Sequence, residues 1–379
     1  MRKKHVLQSE EKLQSRRTGT VTRCTRCILP QSFPGISFDE QGVCSLCIQH
    51  KPQRSRVGRR ELLERIRSVG PGPRYDCVVP LSGGKDSTYI LLCAVRDLGL
   101  RVIAANYDSG YQSETARRNV ARSCKALGVP LVTMAPDRDL QRRVLREMLL
   151  VSETLGCFTR TCTTCEFMLR TLAMGVARKH SVPIILWGSS ALESPNDAAY
   201  SDYRHGRAPS QILATKLARL RSLRLTCGQL GRLVPHVIAY TATSIRLRRS
   251  AGAPIRYILN PYGLMPFPES RPTVIHFFDY ATWDPQAATD LLRQELGWEH
   301  PDGREARFDC RLYCFVEHRR LKLEGITDSG VIDCRLIREG RRTREEARAR
   351  EEATCRRVVN ECAELVEEVG LRDYRSPVV

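Results

Sequence analysis

The fold is decided by one stretch of sequence, Pro80-Leu81-Ser82-Gly83-Gly84-Lys85-Asp86-Ser87. An apolar run over 75–79 precedes it, and a helical pattern over 88–98 follows it. A strand, a glycine turn and a helix start together bind phosphate, because glycines let the backbone approach an anion and the helix offers free N–H groups and a positive dipole end. Serine hydroxyls and Lys85 can add donors, whereas Asp86 indicates a role in fixing the loop or binding a metal. The stretch therefore predicts an anion-binding loop at residues 82–87.

The six residues 82–87 resemble the PP-loop of the ATP pyrophosphatase superfamily, and the Gly-x-x-x-x-Gly-Lys spacing of a Walker loop is absent. The resemblance implies an enzyme that splits ATP between the α- and β-phosphates and adenylates an oxygen of its substrate. A nitrogen or sulfur nucleophile then displaces AMP. ATP and Mg²⁺ are the implied ligands, with catalytic roles for Lys85 and Asp86. The implied ATP contacts are Ser82, Gly83, Gly84, Lys85, Asp86, Ser87, Asn106, Asp108 and Gly188.

Apolar segments alternate with amphipathic ones after the linker-like stretch 51–73. The predicted strands cover 75–81, 101–107, 130–135 and 182–187, and the predicted helices cover 87–98, 112–127, 138–151 and 163–180. This alternation predicts an α/β fold with a doubly wound parallel sheet, and it places a ligand beyond the carboxyl ends of the strands. The superfamily resemblance implies the same architecture, a HUP or adenine nucleotide alpha hydrolase-like PP-loop domain.

Two Cys-x-x-Cys pairs lie upstream of this domain, at Cys24/Cys27 and Cys44/Cys47. Two such pairs at this separation are typical of a zinc ribbon, in which four thiolates form a closed tetrahedral site. We therefore expect a structural Zn²⁺ ion that helps residues 22–50 to fold.

The residues around these pairs add a second resemblance. Cys24-Thr25-Arg26-Cys27-Ile28-Leu29-Pro30 and Phe38-Asp39-Glu40-Gln41-Gly42-Val43-Cys44 are similar to the N-terminus of the N-acetyl sugar amidotransferases of surface-polysaccharide biosynthesis. Family-like segments recur at 276–285, at 296–298 and at 337–347. The resemblance implies amination of a sugar N-acetyl group with ammonia from a partner glutaminase. The chain departs from the family at Ser189, where the relatives carry glutamate after Trp-Gly.

A second cysteine cluster precedes the predicted helix 163–180, and Cys162 and Cys165 form its Cys-x-x-Cys pair. A pair at a helix start favours a low thiol pKa and suits metal binding or sulfur transfer. In tRNA-thiolating PP-loop enzymes such a pair and a distant third cysteine hold a 4Fe–4S cluster. Cys310 is the preferred third ligand here, and Cys157, Cys227 and Cys314 are the other candidates. Iron, a second metal or free thiols all remain open for this pair.

Composition limits the class of protein. No apolar run in the 379 residues is long enough for a membrane span and no signal-peptide core is visible, so we expect a cytoplasmic protein. Sixteen cysteines in such a chain favour metal or sulfur chemistry over disulfides. The formal charge of +19 indicates an anionic partner, unless it reflects an arginine-rich genome. Segment 201–260 carries eleven Lys or Arg residues and one acid, which fits either a helical insertion for an anionic substrate or a solvated helix face.

The sequence thus predicts a polar leader (1–21), a zinc ribbon (22–50), a linker (51–73), a PP-loop ATP-binding domain (74–200), a basic helical insertion (201–260) and a helical C-terminal part (261–379). The leading hypothesis is an ATP-dependent N-acetyl sugar amidotransferase that acts on a nucleotide-sugar or sugar-like substrate. The alternative is a PP-loop sulfurtransferase that thiolates tRNA or a small metabolite. Arg338 to Val369 reads as one charged surface helix.

Overall fold

The computed structural model describes residues 22–33, 35–50, 58–154, 163–188, 227–250, 272–281, 284–301 and 307–370. Within these residues, five parallel strands form one sheet in the order β3-β2-β1-β4-β5. They are β1 (Cys77–Pro80), β2 (Val102–Tyr107), β3 (Leu131–Met134), β4 (Ile184–Trp187) and β5 (Thr273–His276). The chain runs outward from β1 to β3 and returns to the other side of β1. This order confirms the predicted parallel α/β sheet, with its switch point between β1 and β4.

Helices surround the sheet and build the C-terminal part. They are α1 (Ser45–Ile48), α2 (Arg59–Val69), α3 (Lys85–Leu92), α4 (Glu114–Leu127), α5 (Arg138–Thr154), α6 (Thr163–Lys179), α7 (Cys227–Ser250), α8 (Pro285–Leu296), α9 (Tyr313–Glu324), α10 (Asp328–Arg338) and α11 (Arg344–Glu368). Helix α3 continues as a π-helical segment, Cys93–Asp97. A 3₁₀ turn, Phe277–Asp279, follows β5.

Side chains of β1 alternate between the two faces of the sheet, and both faces are buried. Val79 packs in a cluster with α2 and α3, whereas Val78 packs with residues of α6 on the opposite face. Burial on both faces explains why β1 and β2 read as continuous apolar runs in the sequence. The strand β3 lies at an edge and alternates between exposed and half-buried residues.

Helices α9, α10 and α11 pack against one another and support the N-terminal cysteine segment. Ile326, Cys334 and Ala347 belong to the same buried cluster as the four cysteines of that segment. Helix α7 packs along α5, and α8 packs along α3 next to the predicted phosphate loop. No helix in the described ranges is both long enough and apolar enough to cross a membrane.

Three segments differ from the sequence-based expectations. The predicted linker contains α2, whose Leu62 and Ile66 are buried in the sheet core. The C-terminal part, predicted to be helical, supplies β5, which extends the sheet beyond β4. The helix predicted over 338–369 begins only at Arg344, because the chain turns at Gly340 with a φ of +68° and the helix starts from a capping box on Thr343.

Candidate functional site

The predicted phosphate loop connects β1 to α3 at the carboxyl edge of the sheet, beside the switch point. Gly83 has a φ of +83°, and a Cβ added there would lie 2.2 Å from the carbonyl oxygen of Ala116. Gly83 therefore allows both the left-handed turn and the close approach of α4. Gly84 is the N-cap of α3 in an extended conformation, so the first N–H groups of α3 begin directly after the glycines. The local geometry is that of an anion-binding loop at a helix N-terminus.

The two serines of the loop hold its shape. The Ser82 backbone N–H donates to Ser87 Oγ, and the two hydroxyl oxygens lie 3.2 Å apart. Ser87 Oγ also donates to the carbonyl oxygen of Gly84 at 3.2 Å, and Thr88 Oγ1 donates to the same oxygen at 2.9 Å. These bonds fix the loop before any ligand binds, which lowers the cost of ordering it around a phosphate.

Lys85 and Asp86 bring opposite charges to the start of α3. Lys85 Nζ lies 3.2 Å from Asp86 Oδ2, and the two side chains are 19% and 20% exposed. The carboxylate at a helix N-terminus is electrostatically favourable, and it holds the ammonium group of Lys85 at the start of α3. Both groups remain accessible to a ligand from the open side of the sheet edge.

Two polar residues connect the end of β2 to the loop. Asn106 is buried and lies 3.4 Å from the side-chain amide of Gln112, and Gln112 Nε2 donates to the carbonyl oxygen of Ser82 at 2.7 Å. The neighbouring Asp108 forms an ion pair with Arg117 at 2.9 Å and accepts from the N–H of Gly110. Asn106 is therefore adjacent to the loop, whereas Asp108 is engaged in holding the β2–α4 connection.

Residues from distant parts of the chain form hydrogen bonds to the loop or pack against it. Trp298 Nε1 donates to the carbonyl oxygen of Gly83 at 3.1 Å, and Asn119 Nδ2 approaches the same oxygen at 3.3 Å. A Cβ added at Gly188, which follows β4, would lie 3.7 Å from Ser87 Cα, so this glycine lies against the start of α3. The phosphate loop is consequently anchored to α4, to β4 and to the segment after α8.

One carboxylate reaches the loop from the C-terminal part. A Cβ added at Gly84 would lie 3.3 Å from Asp309 Oδ2, and the Asp309 carbonyl oxygen accepts from the N–H of Ser113. Asp309 thus lies beside the same loop that carries Asp86. Two carboxylates flanking a phosphate loop are the oxygen ligands that Mg²⁺ uses together with substrate phosphates.

The cysteines predicted near this edge are partly described. Cys165 lies in the first turn of α6, within hydrogen-bond reach of Ser109, and Cys310 forms an isolated β-bridge with Gln112. Cys165 and Cys310 pack against the same apolar cluster, next to the phosphate loop, and Cys162 and Cys157 lie outside the described residues. Of the other candidates, Cys227 is exposed at the start of α7 and Cys314 is buried against Cys362. Burial raises the pKa of Cys165 to about 11, opposite to the low pKa expected at a helix start.

The four N-terminal cysteines form a compact buried group. All their sulfur atoms lie within 4.8 Å of one another, with 3.9 Å between Cys24 and Cys47 and 3.8 Å between Cys27 and Cys44. Tetrahedral coordination with bonds of about 2.3 Å places sulfurs about 3.8 Å apart, so the arrangement fits a metal ion. The backbone N–H groups of Cys27 and Cys44 point to Cys24 Sγ at 3.4 and 3.2 Å. Hydrogen bonds from the Cys27 and Cys47 thiols lower the pKa of Cys44, which favours a thiolate.

Sequence reasoning missed the residues that act at a distance on the loop. Gln112, Asn119, Trp298 and Asp309 were not among the predicted site residues, although Trp298 and Asp309 lie in segments that were singled out. The sequence spacing of these residues does not point to the loop. Gln112 is 30 residues from its hydrogen-bond partner Ser82, and Trp298 is 215 residues from its partner Gly83.

Comparisons with known proteins give distant likenesses. No family model and no curated protein matches the chain. Among solved structures it is similar to the U34-tRNA thiolase NcsA from Methanococcus maripaludis, with its 4Fe–4S cluster, at 13% identity and a TM-score of 0.34 over 93% of this chain and 91% of that chain. It is also similar to the NMN synthetase from Francisella tularensis, at 13% identity and a TM-score of 0.29 over 70% of this chain and 91% of that chain. Likenesses at this level carry no conclusion about activity.

Proposed function

We propose that the chain is an ATP-dependent adenylating enzyme that forms AMP and pyrophosphate and aminates its activated acceptor. The observation that carries this proposal is the preorganised loop 82–87 at the switch point, where Gly83 has a φ of +83° and the first turn of α3 contains Lys85 and Asp86. A loop built for pyrophosphate at the edge where parallel sheets bind ligands supports nucleotide use. The sequence motif alone carries the same implication, and the geometry agrees with it.

The proposed reaction has two steps, in which the residues of the loop have separate roles. An acceptor carbonyl or amide oxygen attacks the α-phosphorus of ATP, and the bond to the β-phosphate breaks with its electrons on the departing pyrophosphate. Lys85 and the N–H groups at the start of α3 stabilise the negative charge that builds up on that group. A nucleophilic amine then adds to the activated carbon, AMP leaves and the amine gives up a proton. Mg²⁺, which Asp86 and Asp309 suit as oxygen ligands, supplies charge neutralisation on the phosphates when bound.

The finer proposal is an N-acetyl sugar amidotransferase that receives ammonia from a separate glutaminase. It rests on the family-like segments at the two ends of the chain, and these segments touch. Arg344 donates to the carbonyl oxygens of Cys27 and Cys24 at 3.0 and 3.2 Å, so the segment 337–347 holds the cysteine pairs. Arg23 in turn donates to the carbonyl oxygen of Gly325 at 3.1 Å. The two resembling segments therefore act as one structural unit, with Zn²⁺ as its proposed metal.

The second candidate is a sulfurtransferase acting on tRNA or a small metabolite. The placement of Cys165 and Cys310 favours it, since Cys165 contacts Ser109 and Cys310 pairs with Gln112 in the connection between β2 and α4. With Cys162 they would supply the three thiolates that hold an iron–sulfur cluster or carry a persulfide. The half-buried Cys165 thiol, whose pKa is raised to about 11, needs a metal or a cationic partner to become a thiolate.

The products of ATP turnover test the adenylation proposal. Incubation of the protein with Mg²⁺–ATP, ammonium and UDP-N-acetylglucosamine, followed by phosphorus NMR, is expected to give AMP and pyrophosphate. Lys85→Ala is expected to lower this turnover by about 100-fold or more, since one lost transition-state contact of this kind costs that much. The matched control is Lys125→Ala, which removes an exposed lysine of α4. Formation of ADP and phosphate, or equal turnover in both variants, would overturn the proposal.

Metal analysis of anaerobically purified protein separates the two candidates. The amidotransferase predicts a colourless protein with about one zinc per chain. The sulfurtransferase predicts a brown protein with about four irons besides zinc, and loss of the iron in Cys165→Ser and Cys310→Ser. Iron retained in both variants would exclude these cysteines as ligands.

A further inference from the structure

We propose that an arginine-lined cavity beside the phosphate loop is the acceptor site and that it takes a small molecule carrying a phosphate or diphosphate group. This inference rests on the adenylating function proposed above, and it adds the place of the acceptor and the charge that the acceptor carries.

The cavity lies at the carboxyl edge of the sheet, between the connection that follows β2 and the first turns of α4 and α5. Its volume is about 460 Å³. Cavities of this size accommodate ligands of the size of a nucleotide or a sugar phosphate. Tyr111 and Gln112 form part of its wall, and Arg117, Arg138, Arg142 and Arg311 surround it. Four guanidinium groups around one small cavity point to an anionic ligand.

Three of the four arginines are weakly paired with carboxylates, whereas Arg117 forms a half-buried ion pair with Asp108 at 2.9 Å. Arg138 has no carboxylate within ion-pair distance among the described residues, and its Cγ lies beside Gly110. Arg142 lies 3.5 Å from Asp139 and Arg311 lies 2.8 Å from Glu368, in pairs whose side chains are between 44% and 78% exposed. Exposed pairs of this kind contribute little, so a phosphate can replace the carboxylate at small cost. The planar fork of a guanidinium matches two phosphate oxygens at once.

The cavity adjoins the proposed reaction centre through one side chain. Gln112 lines the cavity, and its Nε2 donates to the carbonyl oxygen of Ser82 in the phosphate loop at 2.7 Å. Ser109, on the same wall, is within hydrogen-bond reach of Cys165. An acceptor held in the cavity by its phosphate therefore has its other end next to the loop, where an oxygen can attack bound ATP.

The acids of the cavity favour a small ligand over a nucleic acid. Glu114, Asp139 and Glu368 line the cavity together with the arginines. A nucleic-acid backbone crossing this surface would meet three carboxylates as well as the guanidinium groups, which weakens binding that depends on phosphate contacts. A single phosphate or diphosphate needs to replace only the exposed carboxylates paired with Arg142 and Arg311.

Calorimetry with UDP and UDP-N-acetylglucosamine as probes tests the site. The wild-type protein, saturated with Mg²⁺ and α,β-methylene-ATP, is expected to bind at least one of the two probes. Arg138→Gln is expected to weaken that binding by at least tenfold, since one charge-assisted phosphate contact is lost. The matched control is Arg143→Ala, an exposed arginine of the same helix α5 that does not line the cavity, and it is expected to bind as the wild type does.

Two further measurements separate this inference from the proposed function. Lys85→Ala is expected to lose α,β-methylene-ATP binding and to keep binding of the UDP probe, whereas Arg138→Gln is expected to do the reverse. Binding of neither probe to the wild type, or equal binding to Arg138→Gln, would overturn the acceptor site while leaving the ATP result intact. Salt-sensitive binding of mixed tRNA that Arg138→Gln abolishes, without binding of UDP or UDP-N-acetylglucosamine, would overturn the small-molecule class.

Discussion

The cysteine site and the phosphate loop are both specified by short motifs, yet they differ in how far their side chains are exposed. The four cysteines are at most 1% exposed, and their sulfurs occupy the corners of a closed group. Lys85 and Asp86 remain about one-fifth exposed at an open edge, and Asp309 faces the same loop. A closed thiolate site has no position left for a substrate, whereas the loop begins a helix and carries charged side chains that are partly exposed.

The difference indicates which region stabilises the molecule and which one, under the proposed function, binds the nucleotide. Arg344 and Arg23 connect the cysteine site to the C-terminal helices, so its metal would organise residues more than 300 positions apart. The phosphate loop is held by hydrogen bonds from Trp298, Asn119 and Gln112. Changes at the first region should lower stability most, and changes at the second should mainly affect nucleotide binding.

The largest effect is expected from Cys24→Ser. Losing one thiolate should remove the metal, and metal binding of this type contributes on the order of 10 kcal/mol to folding. Metal analysis should show the loss of about one zinc per chain, and thermal unfolding should occur at a much lower temperature. The control is Cys227→Ser, since Cys227 is an exposed thiol. An unchanged zinc content in Cys24→Ser would contradict the closed site.

Gly83→Ala should be the most damaging change within the loop. The new Cβ would meet the Ala116 carbonyl oxygen at 2.2 Å in a left-handed conformation, and the two penalties together cost about 4 kcal/mol. At Gly84 the φ is −74° and the nearest atom, Asp309 Oδ2, would be 3.3 Å from the Cβ. Gly84→Ala should therefore keep the stability of the wild type and only bind ATP more weakly. Urea unfolding of both variants checks this, and equal stability would refute the tight approach of α4.

The strands and the loop could be predicted from the sequence because their signals are local. Each of the four predicted strands contains an observed one, and the loop 82–87 is where the glycine pattern places it. The strand β5 was missed because its two apolar residues lie between Thr273 and His276 and Val274 is 40% exposed, so it lacks a continuous apolar run. The helix α2 was read as a linker, because burial of Leu62 and Ile66 depends on the sheet that they cover.

Only those residues of the candidate site that belong to a short sequence motif could be predicted. The hydrogen bond from Trp298 to Gly83 spans 215 residues, and the one from Gln112 to Ser82 spans 30. Tertiary folding sets such distances, and no periodicity encodes them. The same holds for buried acids of α11, which was predicted to be a charged surface helix. Glu351, for example, is 5% exposed and accepts from the N–H of Thr327 at 2.8 Å.

A change of intermediate size in the pH dependence of stability should come from Glu317 of α9. Burial, and next the charge of Asp328, raise its pKa to about 7 from an ordinary value of 4.5, against hydrogen bonds from Ser329 that lower it. The folded state therefore keeps this proton up to about pH 7, while the unfolded state releases it near 4.5. Stability from this group is present below pH 4.5 and is lost as the pH rises to about 7, by on the order of 3 kcal/mol.

Glu317→Gln should remove this component of the pH dependence. Urea unfolding at pH 5 and at pH 7.5 is expected to show a smaller fall in stability for the variant than for the wild type. Asp333, whose pKa burial also raises to about 7, remains in both proteins and cancels in the comparison. The control Glu352→Gln removes an exposed carboxyl of α11 and should follow the wild type. Identical slopes in all three proteins would count against a proton held at Glu317.

The smallest effect is expected from Trp298→Phe, which tests whether the phosphate loop depends on the hydrogen bond from Trp298. The ring is 2% exposed, and its Nε1 donates to the Gly83 carbonyl oxygen, which Asn119 also contacts. Phenylalanine keeps most of the packing and loses one buried hydrogen bond, so stability should fall by about 1 kcal/mol. Because the lost bond holds the loop, ATP should bind several-fold more weakly. Phe308→Leu, which disturbs the same aromatic contact without a bond to the loop, should lower stability and leave ATP binding unchanged. Equal loss of ATP binding in both variants would mean that packing, rather than this hydrogen bond, positions the loop.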